Sequence, residues 1–257
     1  GCTHDCLGLD TAANTAIECI DKLRDTMQSH ERCSVVEVMG RHAGWLTAAS
    51  ALATYAGAGP NLIYLPEVDF DMDKFLADVE RIYKEKGNCM VAVSEGIHYA
   101  DGRFVSEAET SATDGFGHAQ LGGLAAMLAD VVKKATGAKV RGIELSLLQR
   151  CGAHLASQTD IDESFMSGKA AVENAVAGLT DKMVGFERSY EDGKYVCRTK
   201  LFNLTDVANT ENKVPREWIN AEGNNVTDAC VEYLLPLIAG EVSPKYENGL
   251  PVHVIID

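Results

Sequence analysis

The sequence has 257 residues, 46% hydrophobic and 24% charged, a composition typical of a globular protein with one large domain or two small ones. Its formal net charge of −15 argues against binding to nucleic acid or to an anionic membrane, since both need a basic face. It has no apolar run of about 18 residues and no basic, apolar leader, so we expect neither a membrane span nor secretion, and a cytoplasmic location. Eight cysteines, mostly within apolar runs, favour reduced thiols over a disulfide framework.

Helix-like and strand-like segments alternate over the first 150 residues. Apolar positions at helical spacing predict a helix over residues 10–27 with Asp10 as its cap. Residues 34–39 are apolar on both faces, as in a parallel strand covered by helices. Helices are then predicted over 42–56, 71–86 and 117–136, and strands over 61–65, 88–94 and 139–145. This alternation predicts an α/β fold with a doubly wound, mostly parallel sheet covered by helices.

The pattern changes after residue 151. A helix is predicted over 160–178, and strands over 182–188 and 194–203 are separated by Glu191-Asp192-Gly193, a sequence that favours a hairpin turn. A last helix is predicted over 225–238. We therefore expect an α/β domain over residues 1–151 and a C-terminal α+β segment over 152–257.

Short polar stretches follow three of the predicted strands. They are Met39-Gly40-Arg41, Ser94-Glu95-Gly96 and Gln149-Arg150. In doubly wound sheets, ligands bind beyond the carboxyl ends of the strands, where helix N-termini favour anions. Glycine lets a ligand approach the backbone, arginine offers a fork of donors to phosphate, and a glutamate accepts from hydroxyl groups. Together they indicate a sugar phosphate site, although such corners are common and surface arginines usually pair with acids.

Two other kinds of site find little support in the sequence. Cys2, His4 and Cys6 have spacing like half of a zinc site, but no second pair of suitable spacing accompanies them, so no metal ligand is assigned. Neither G-x-G-x-x-G nor G-x-x-x-x-G-K-[ST] occurs, which leaves no support for a dinucleotide loop or a Walker-type nucleotide loop.

Several motifs occur together in a fixed order. They are Leu23-Arg24-Asp25-Thr26, Ser29-His30-x-Arg32, Val36-Glu37-Val38-Met39-Gly40-Arg41, Ser94-Glu95-Gly96 and Gln149-Arg150. In order and spacing they closely resemble the 6-phosphofructokinase family over nearly the whole chain. The later segments HLASQTDIDESFMSGKAAVENAV and LFNLTDVANTENKVP are more similar to the pyrophosphate-dependent branch of that family than to its short ATP-dependent bacterial members.

The resemblance implies transfer of a phosphoryl group from pyrophosphate to the 1-hydroxyl of fructose 6-phosphate, with Mg2+ present, giving fructose 1,6-bisphosphate in glycolysis. ATP as the donor is one alternative, and a non-catalytic, sugar phosphate-binding regulatory subunit is another. In the family, the part corresponding to residues 152–257 completes the phosphoryl-donor domain and ends on the sugar domain.

The resemblance also implies roles for residues at the first two strand ends. Met39, Gly40 and Arg41 would contact the sugar phosphate, and Arg41 would act in catalysis by stabilising charge on the transferring phosphoryl group. Glu95 would bind sugar hydroxyls. These roles suit phosphoryl transfer, which depends mostly on positioning and on neutralisation of charge.

Other residues would hold the 6-phosphate. Arg150 would bind it directly, while Arg32 and Arg141 would reach it across a subunit interface, so the complete site implies a homodimer or homotetramer. At Leu147 the family usually has histidine or tyrosine, and one hydrogen bond to the substrate is therefore expected to be missing.

The family's catalytic base belongs to a T-I-D-x-D motif, which would lie just before Gly1, as would the Gly-rich loops that bind the donor. The opening of the sequence thus looks like an interior point of a longer chain. We expect the 257 residues alone to lack phosphotransferase activity, and the upstream sequence would separate the three functional alternatives.

Overall fold

The computed structural model describes residues 4–30, 32–106 and 123–253. The α-helices within these ranges are α1 (Leu9–Gln28), α2 (Trp45–Ala49), α3 (Met72–Lys86), α4 (Leu124–Thr136), α5 (Gln158–Val176), α6 (Leu204–Val207) and α7 (Asp228–Leu234). The strands are β1 (Arg32–Val38), β2 (Leu62–Tyr64), β3 (Cys89–Ser94), β4 (Lys139–Glu144), β5 (Lys182–Glu191), β6 (Lys194–Asn203), β7 (Tyr246–Glu247) and β8 (Leu250–Pro251). Among these described helices, none has both the length and the apolar character that crossing a bilayer requires.

Four parallel strands form the central sheet, in the order β2-β3-β1-β4. The register pairs Val38 with Ser94 and Glu37 with Glu144, so β1, β3 and β4 end at the same edge of the sheet. Helices cover both faces of β1, β2 and β3, whose residues are almost all buried, whereas most of the edge strand β4 is exposed. The predicted doubly wound α/β fold is confirmed.

Alternate residues of β1 enter two hydrophobic cores. Val36 and Val38 lie in the core beneath α1, α2 and α7, whereas Cys33 and Val35 lie in the core beneath α3 and α4. All four side chains are almost fully buried. Since successive strand residues point to opposite faces, Glu37 falls on the α4 side of the sheet, close to the edge where the strands end.

Two predicted helices are shorter in the structure. The segment predicted as a helix over 42–56 is α2 followed by a 3₁₀ helix at Ser50–Ala56, where the Ser50 hydroxyl donates to the Thr47 carbonyl at 2.6 Å. The segment predicted over 225–238 is α7 followed by a 3₁₀ helix at Leu235–Ile238, which contains Pro236 and therefore lacks one N–H donor. Residues 117–122 of the predicted 117–136 helix lie outside the described residues.

The predicted cap of the first helix is wrong. Helix α1 starts after Gly8, and Asp10 makes no capping bond but is buried in the first turn. The Asp160 carboxylate of α5 takes that role instead, accepting from the N–H groups of Gly8 at 3.0 Å and Thr11 at 3.1 Å. An acidic side chain distant in sequence thus occupies the positive end of α1, which no local pattern could indicate.

The C-terminal segment has two parts. Strands β5 and β6 form the predicted antiparallel hairpin, and Asp192 and Gly193 both have positive φ at its turn. Residues from Val214 to Leu237 return to the sheet, where α7 joins the core beneath α1 and α2. The Asn224 carbonyl accepts from the N–H of Ile63, which ties this returning part to β2.

Glu37 makes folding stability depend on pH. It is buried, and its Oε2 accepts from the Ala125 N–H of α4 at 2.9 Å. Burial raises the pKa of Glu37 from its ordinary value of 4.5 to about 7, and nearby Glu144 and Glu95 add to the rise. Because the folded state holds the proton more tightly than the unfolded state does, this group costs stability as the pH rises from about 4.5 through 7.

In the wild type, Glu37 lowers the free energy of unfolding by on the order of 2 kcal/mol between about pH 5 and pH 8. We expect this decrease to be absent in Glu37→Gln, because glutamine does not titrate. Urea unfolding of wild type and variant at both pH values measures it. Glu232→Gln, which removes an exposed charge on α7, should leave the wild-type pH dependence in place. A Glu37→Gln protein with the wild-type pH dependence would contradict the assignment.

Candidate functional site

Gly40 forms a tight corner where β1 ends. Its φ of +146° and the space around it admit only glycine, because an added Cβ would meet the Ala43 carbonyl oxygen at 2.7 Å and the Ser94 hydroxyl at 2.8 Å. The Gly40 carbonyl accepts from the Ser94 hydroxyl at 2.5 Å and from the Gly96 N–H at 3.2 Å. The Gly40 N–H donates to Glu95 Oε1 at 3.2 Å. The ends of β1 and β3 are therefore joined through one residue's backbone.

Arg41 is held in place by the loop that follows β3. A Cβ added to Gly96 would lie 1.7 Å from the Arg41 carbonyl oxygen, so the two backbones touch with no room for a side chain. The Arg41 side chain is half-buried. Its guanidinium makes no hydrogen bond or ion pair with any described residue, and its donors are available to a ligand.

Gln149 joins the third strand end to the same corner. Its buried side chain accepts from the Met39 N–H at 3.1 Å and donates to the Ser146 carbonyl at 3.1 Å. The neighbouring Leu147 and Arg150 are exposed. The sequence analysis assigned no role to the Gln149 side chain, since one glutamine beside leucines carries no signal of burial.

The structure thus brings together five residues singled out from the sequence. They are Met39, Gly40, Arg41, Glu95 and, through its neighbour Gln149, Arg150. A carboxylate and a guanidinium without a described partner meet at one edge of the sheet, an arrangement suited to a ligand with both hydroxyl and phosphate groups.

Arg32 and Arg141 do not join this corner within one chain. Arg32 begins β1, and Arg141 pairs in register with Ser34 near the start of that strand. Six residues separate Arg32 from Val38, a span of about 20 Å at 3.3 Å per residue. Any role of Arg32 and Arg141 in the site described above would therefore need a second chain.

Four arginines stand apart from the rest of the charged residues. Of the ten in the sequence, all within the described ranges, six donate to carboxylates, amide oxygens, hydroxyls or carbonyls. The four without any such partner among the described residues are Arg32, Arg41, Arg141 and Arg150. Although the chain has a net charge of −15 and acids are plentiful, these four guanidinium groups keep their donors free for an anion.

The corner itself does not fit a Mg2+ site. Within the described part of the chain, the groups of three potential ligands close enough to share a metal ion lie elsewhere, and each includes Glu163. At the corner, Glu95 already accepts from Gly40 with one of its oxygens. The described residues of the corner therefore offer no set of ligands for Mg2+.

His4 makes hydrogen bonds of its own. Its two ring nitrogens lie 3.3 Å from the Tyr233 hydroxyl and 3.1 Å from the Tyr195 hydroxyl. Burial, with a smaller effect of Arg188, lowers the pKa of His4 to about 4. Cys6 is exposed, and Cys2 lies outside the described residues, so the zinc half-site gains no support.

Comparison with known proteins finds relatives in both sequence and fold. A pyrophosphate–fructose 6-phosphate 1-phosphotransferase of Halomonas elongata is 45% identical over 218 residues, which are 84% of this chain and 51% of the relative. The enzyme of the same name from Methylococcus capsulatus is 45% identical over 223 residues, 86% of this chain and 52% of the relative. The crystal structure of a pyrophosphate-dependent phosphofructokinase from Marinobacter aquaeolei superposes with a TM-score of 0.83 at 34% identity, covering 98% of this chain and 60% of that one.

The chain spans about half the length of the curated relatives it matches. The family model described as phosphofructokinase matches residues 1–175, which include β1 to β4 and all of the corner residues. The chain therefore belongs to the phosphofructokinase family.

Proposed function

We propose that this chain carries the fructose 6-phosphate site of a pyrophosphate-dependent phosphofructokinase, which transfers a phosphoryl group from pyrophosphate to the 1-hydroxyl of the sugar and yields fructose 1,6-bisphosphate in glycolysis. The main support is the set of four unpaired arginines, which coincides with the residues expected to bind phosphate. The names of the relatives favour pyrophosphate over ATP as the donor and an enzyme over a regulatory subunit.

Each residue of the corner has a distinct part in this proposal. Glu95 accepts from sugar hydroxyls with the oxygen that Gly40 does not use, and Met39 and Gly40 offer backbone against the sugar phosphate. Arg41 neutralises charge on the phosphoryl group as it moves between the two oxygens, a kind of stabilisation that is large when the donor is fixed in advance. The contact with Gly96 fixes the backbone from which the Arg41 side chain extends.

Arg150 binds the 6-phosphate from the exposed end of the turn that Gln149 anchors. Leu147 contributes apolar contact only, because its side chain has no hydrogen-bonding atom. Removal of the proton from the 1-hydroxyl is assigned to an aspartate of the T-I-D-x-D motif, which the 257 residues do not contain. Mg2+ is expected to neutralise pyrophosphate, and the reaction is placed in the cytoplasm.

We also propose that the active protein is a homo-oligomer in which Arg32 and Arg141 of one copy complete the site of another. The position of both arginines far from Arg41 along β1 and β4 supports this, as does the place of β4 at the edge of the sheet. Exposed Leu147 and Leu148 beside that edge strand offer apolar surface for a second copy.

The division into two domains remains a proposal as well. Helix α5 presents a stripe of apolar residues at helical spacing to solvent, with Phe165 74% and Val176 84% exposed. The stripe also contains Ile161 and Val172. We propose that it packs against the part of the family fold that the relatives carry outside the matched region, while the returning residues 214–238 belong with the sheet.

The assignment of Arg150 predicts a loss of sugar phosphate binding. We expect fructose 6-phosphate to raise the melting temperature of the protein, and Arg150→Ala to remove most of that shift, because losing a charged contact to phosphate costs about 1.5–3 kcal/mol. Thermal unfolding with and without the ligand measures it. Arg81→Ala, which removes an exposed arginine paired with Asp78, is the control and should keep the full shift. A full shift in Arg150→Ala would reject the assignment.

The close contact between Gly96 and Arg41 predicts a second effect. Gly96→Ala places a methyl group 1.7 Å from the Arg41 carbonyl oxygen, so the corner must move, and we expect fructose 6-phosphate affinity to fall at least about tenfold. Isothermal titration calorimetry measures the affinity. In Gly168→Ala the added methyl group has open space on α5, and this control should bind as wild type does. Wild-type affinity in Gly96→Ala would show that the corner does not position the ligand.

Sharing of the site between copies predicts complementation. Neither the Arg150→Ala protein nor the Arg141→Ala protein should bind the sugar phosphate well by itself. When the two proteins are mixed and exchange subunits, each mixed dimer has one site with both substitutions and one site with neither. Random exchange between dimers should restore about a quarter of the sites. Calorimetric stoichiometry of the mixture measures this, and a mixture that binds no better than either parent would rule out the shared site.

A further inference from the structure

A buried group of carboxylates lies where the start of the described chain meets α1 and α5. Asp5 precedes α1, Asp10 lies in its first turn, and Glu163 lies in the second turn of α5. Their side chains are 6%, 1% and 5% exposed, and one oxygen from each lies within 4.8 Å of the others. None of these residues has a part in the sugar phosphate site proposed above.

Several carboxylate oxygens of Asp10 and Glu163 receive no hydrogen bond from the described N–H and hydroxyl groups around them. Neither oxygen of Asp10 receives a hydrogen bond from a described N–H or from a described hydroxyl, although the side chain is 99% buried. Glu163 accepts from the Tyr195 hydroxyl at 2.6 Å with Oε1, but its buried Oε2 receives no hydrogen bond from a described N–H or hydroxyl. Since an unsatisfied buried carboxylate is costly, these atoms point to a ligand that supplies positive charge.

The neighbouring polar groups do not supply that charge. Asp160 is occupied with the N–H groups of Gly8 and Thr11. Arg188 donates to the Tyr233 carbonyl and the Tyr190 hydroxyl, and no described lysine or arginine forms an ion pair with Asp10 or Glu163.

We propose that Asp5, Asp10 and Glu163 form a site for a divalent cation that prefers oxygen ligands. Carboxylate oxygens are the ligands of hard cations, and opposite ligands of Ca2+, at 2.3–2.6 Å from the ion, are about 4.6–5.2 Å apart, while those of Mg2+ are about 4.0–4.2 Å apart. Oxygens within 4.8 Å of one another match the spacing of Ca2+ ligands, and the three side chains would have to draw closer together wherever a pair exceeds the Mg2+ spacing. The cation would fasten α5, and with it the C-terminal segment, to the first turn of α1.

A second set of possible ligands uses the same glutamate. His4, Glu163 and Cys197 also lie close together and would suit a softer ion such as Zn2+. Both nitrogens of His4 are within hydrogen-bonding distance of tyrosine hydroxyls, however. The unsatisfied oxygens belong to Asp10 and Glu163, which favours the all-oxygen set.

The site can be tested without any phosphate ligand, so the outcome does not depend on the proposed enzyme activity. The protein is stripped with EDTA and titrated with Mn2+, Ca2+ or Mg2+, with binding followed by calorimetry and bound Mn2+ by electron paramagnetic resonance. We expect one ion per chain and a higher melting temperature with the ion. Asp10→Asn should weaken binding at least tenfold, and Glu163→Gln provides a second variant in case Asp10→Asn fails to fold.

The matched control is Asp162→Asn, which removes an exposed charge next to Glu163 on α5 and should leave binding unchanged. Absence of ion binding by the stripped wild-type protein would overturn the proposal and assign a shared proton to the carboxylates. Ion binding that survives both Asp10→Asn and Glu163→Gln would overturn it as well. A preference for Zn2+ that is lost in Cys197→Ala would place the ion at the second set of ligands instead.

Discussion

The backbone of Gly40 is the constraint on which the candidate site depends. Its carbonyl and N–H bind the residues that follow β3, and its positive φ turns the chain sharply out of the sheet. Because β1 and β3 end in register, the loops that follow them meet at this residue and at the adjoining contact of Arg41 with Gly96. Gln149 adds the third strand through the neighbouring Met39 N–H. Arg41 therefore extends from a corner whose backbone is bonded on three sides, and its guanidinium, which has no partner among the described residues, is left free to meet a ligand.

Much of the fold could be predicted from sequence because apolar periodicity reports burial directly. The strand at β1 is apolar on both faces, and the structure covers both. Where side chains distant in sequence decide, the prediction was wrong: Asp10 looked like a cap by its position, but Asp160 from α5 holds the end of α1. The α-helix changes to a 3₁₀ helix after α2, where the Ser50 hydroxyl bonds the Thr47 carbonyl, and after α7, where Pro236 follows. Neither feature alters the apolar spacing from which the two longer helices were predicted.

The candidate site could be predicted only in part. Glycine, arginine and glutamate at strand ends are visible in the sequence, and the shared edge of a parallel sheet brings them together. The role of Gln149 could not be predicted, because its burial follows from the turn at Ser146–Arg150 rather than from any local pattern. The proposed roles of Arg32 and Arg141 depend on a second copy of the chain. Within one chain neither arginine lies near the corner, and only their lack of described partners distinguishes them.

Charge is distributed unevenly in this acidic chain. Four arginines on or just after the strands of the sheet have no partner among the described residues, while three carboxylates are buried together at the junction of α1 and α5. The central claim is that the unpaired arginines bind a sugar phosphate at the Gly40 corner. A crystal structure of the protein with fructose 6-phosphate tests this most directly. It should show the sugar hydroxyls on Glu95, the 1-hydroxyl beside Arg41 and the 6-phosphate on Arg150. A sugar phosphate bound away from the corner, or bound with Arg41 and Arg150 both uninvolved, would contradict the account.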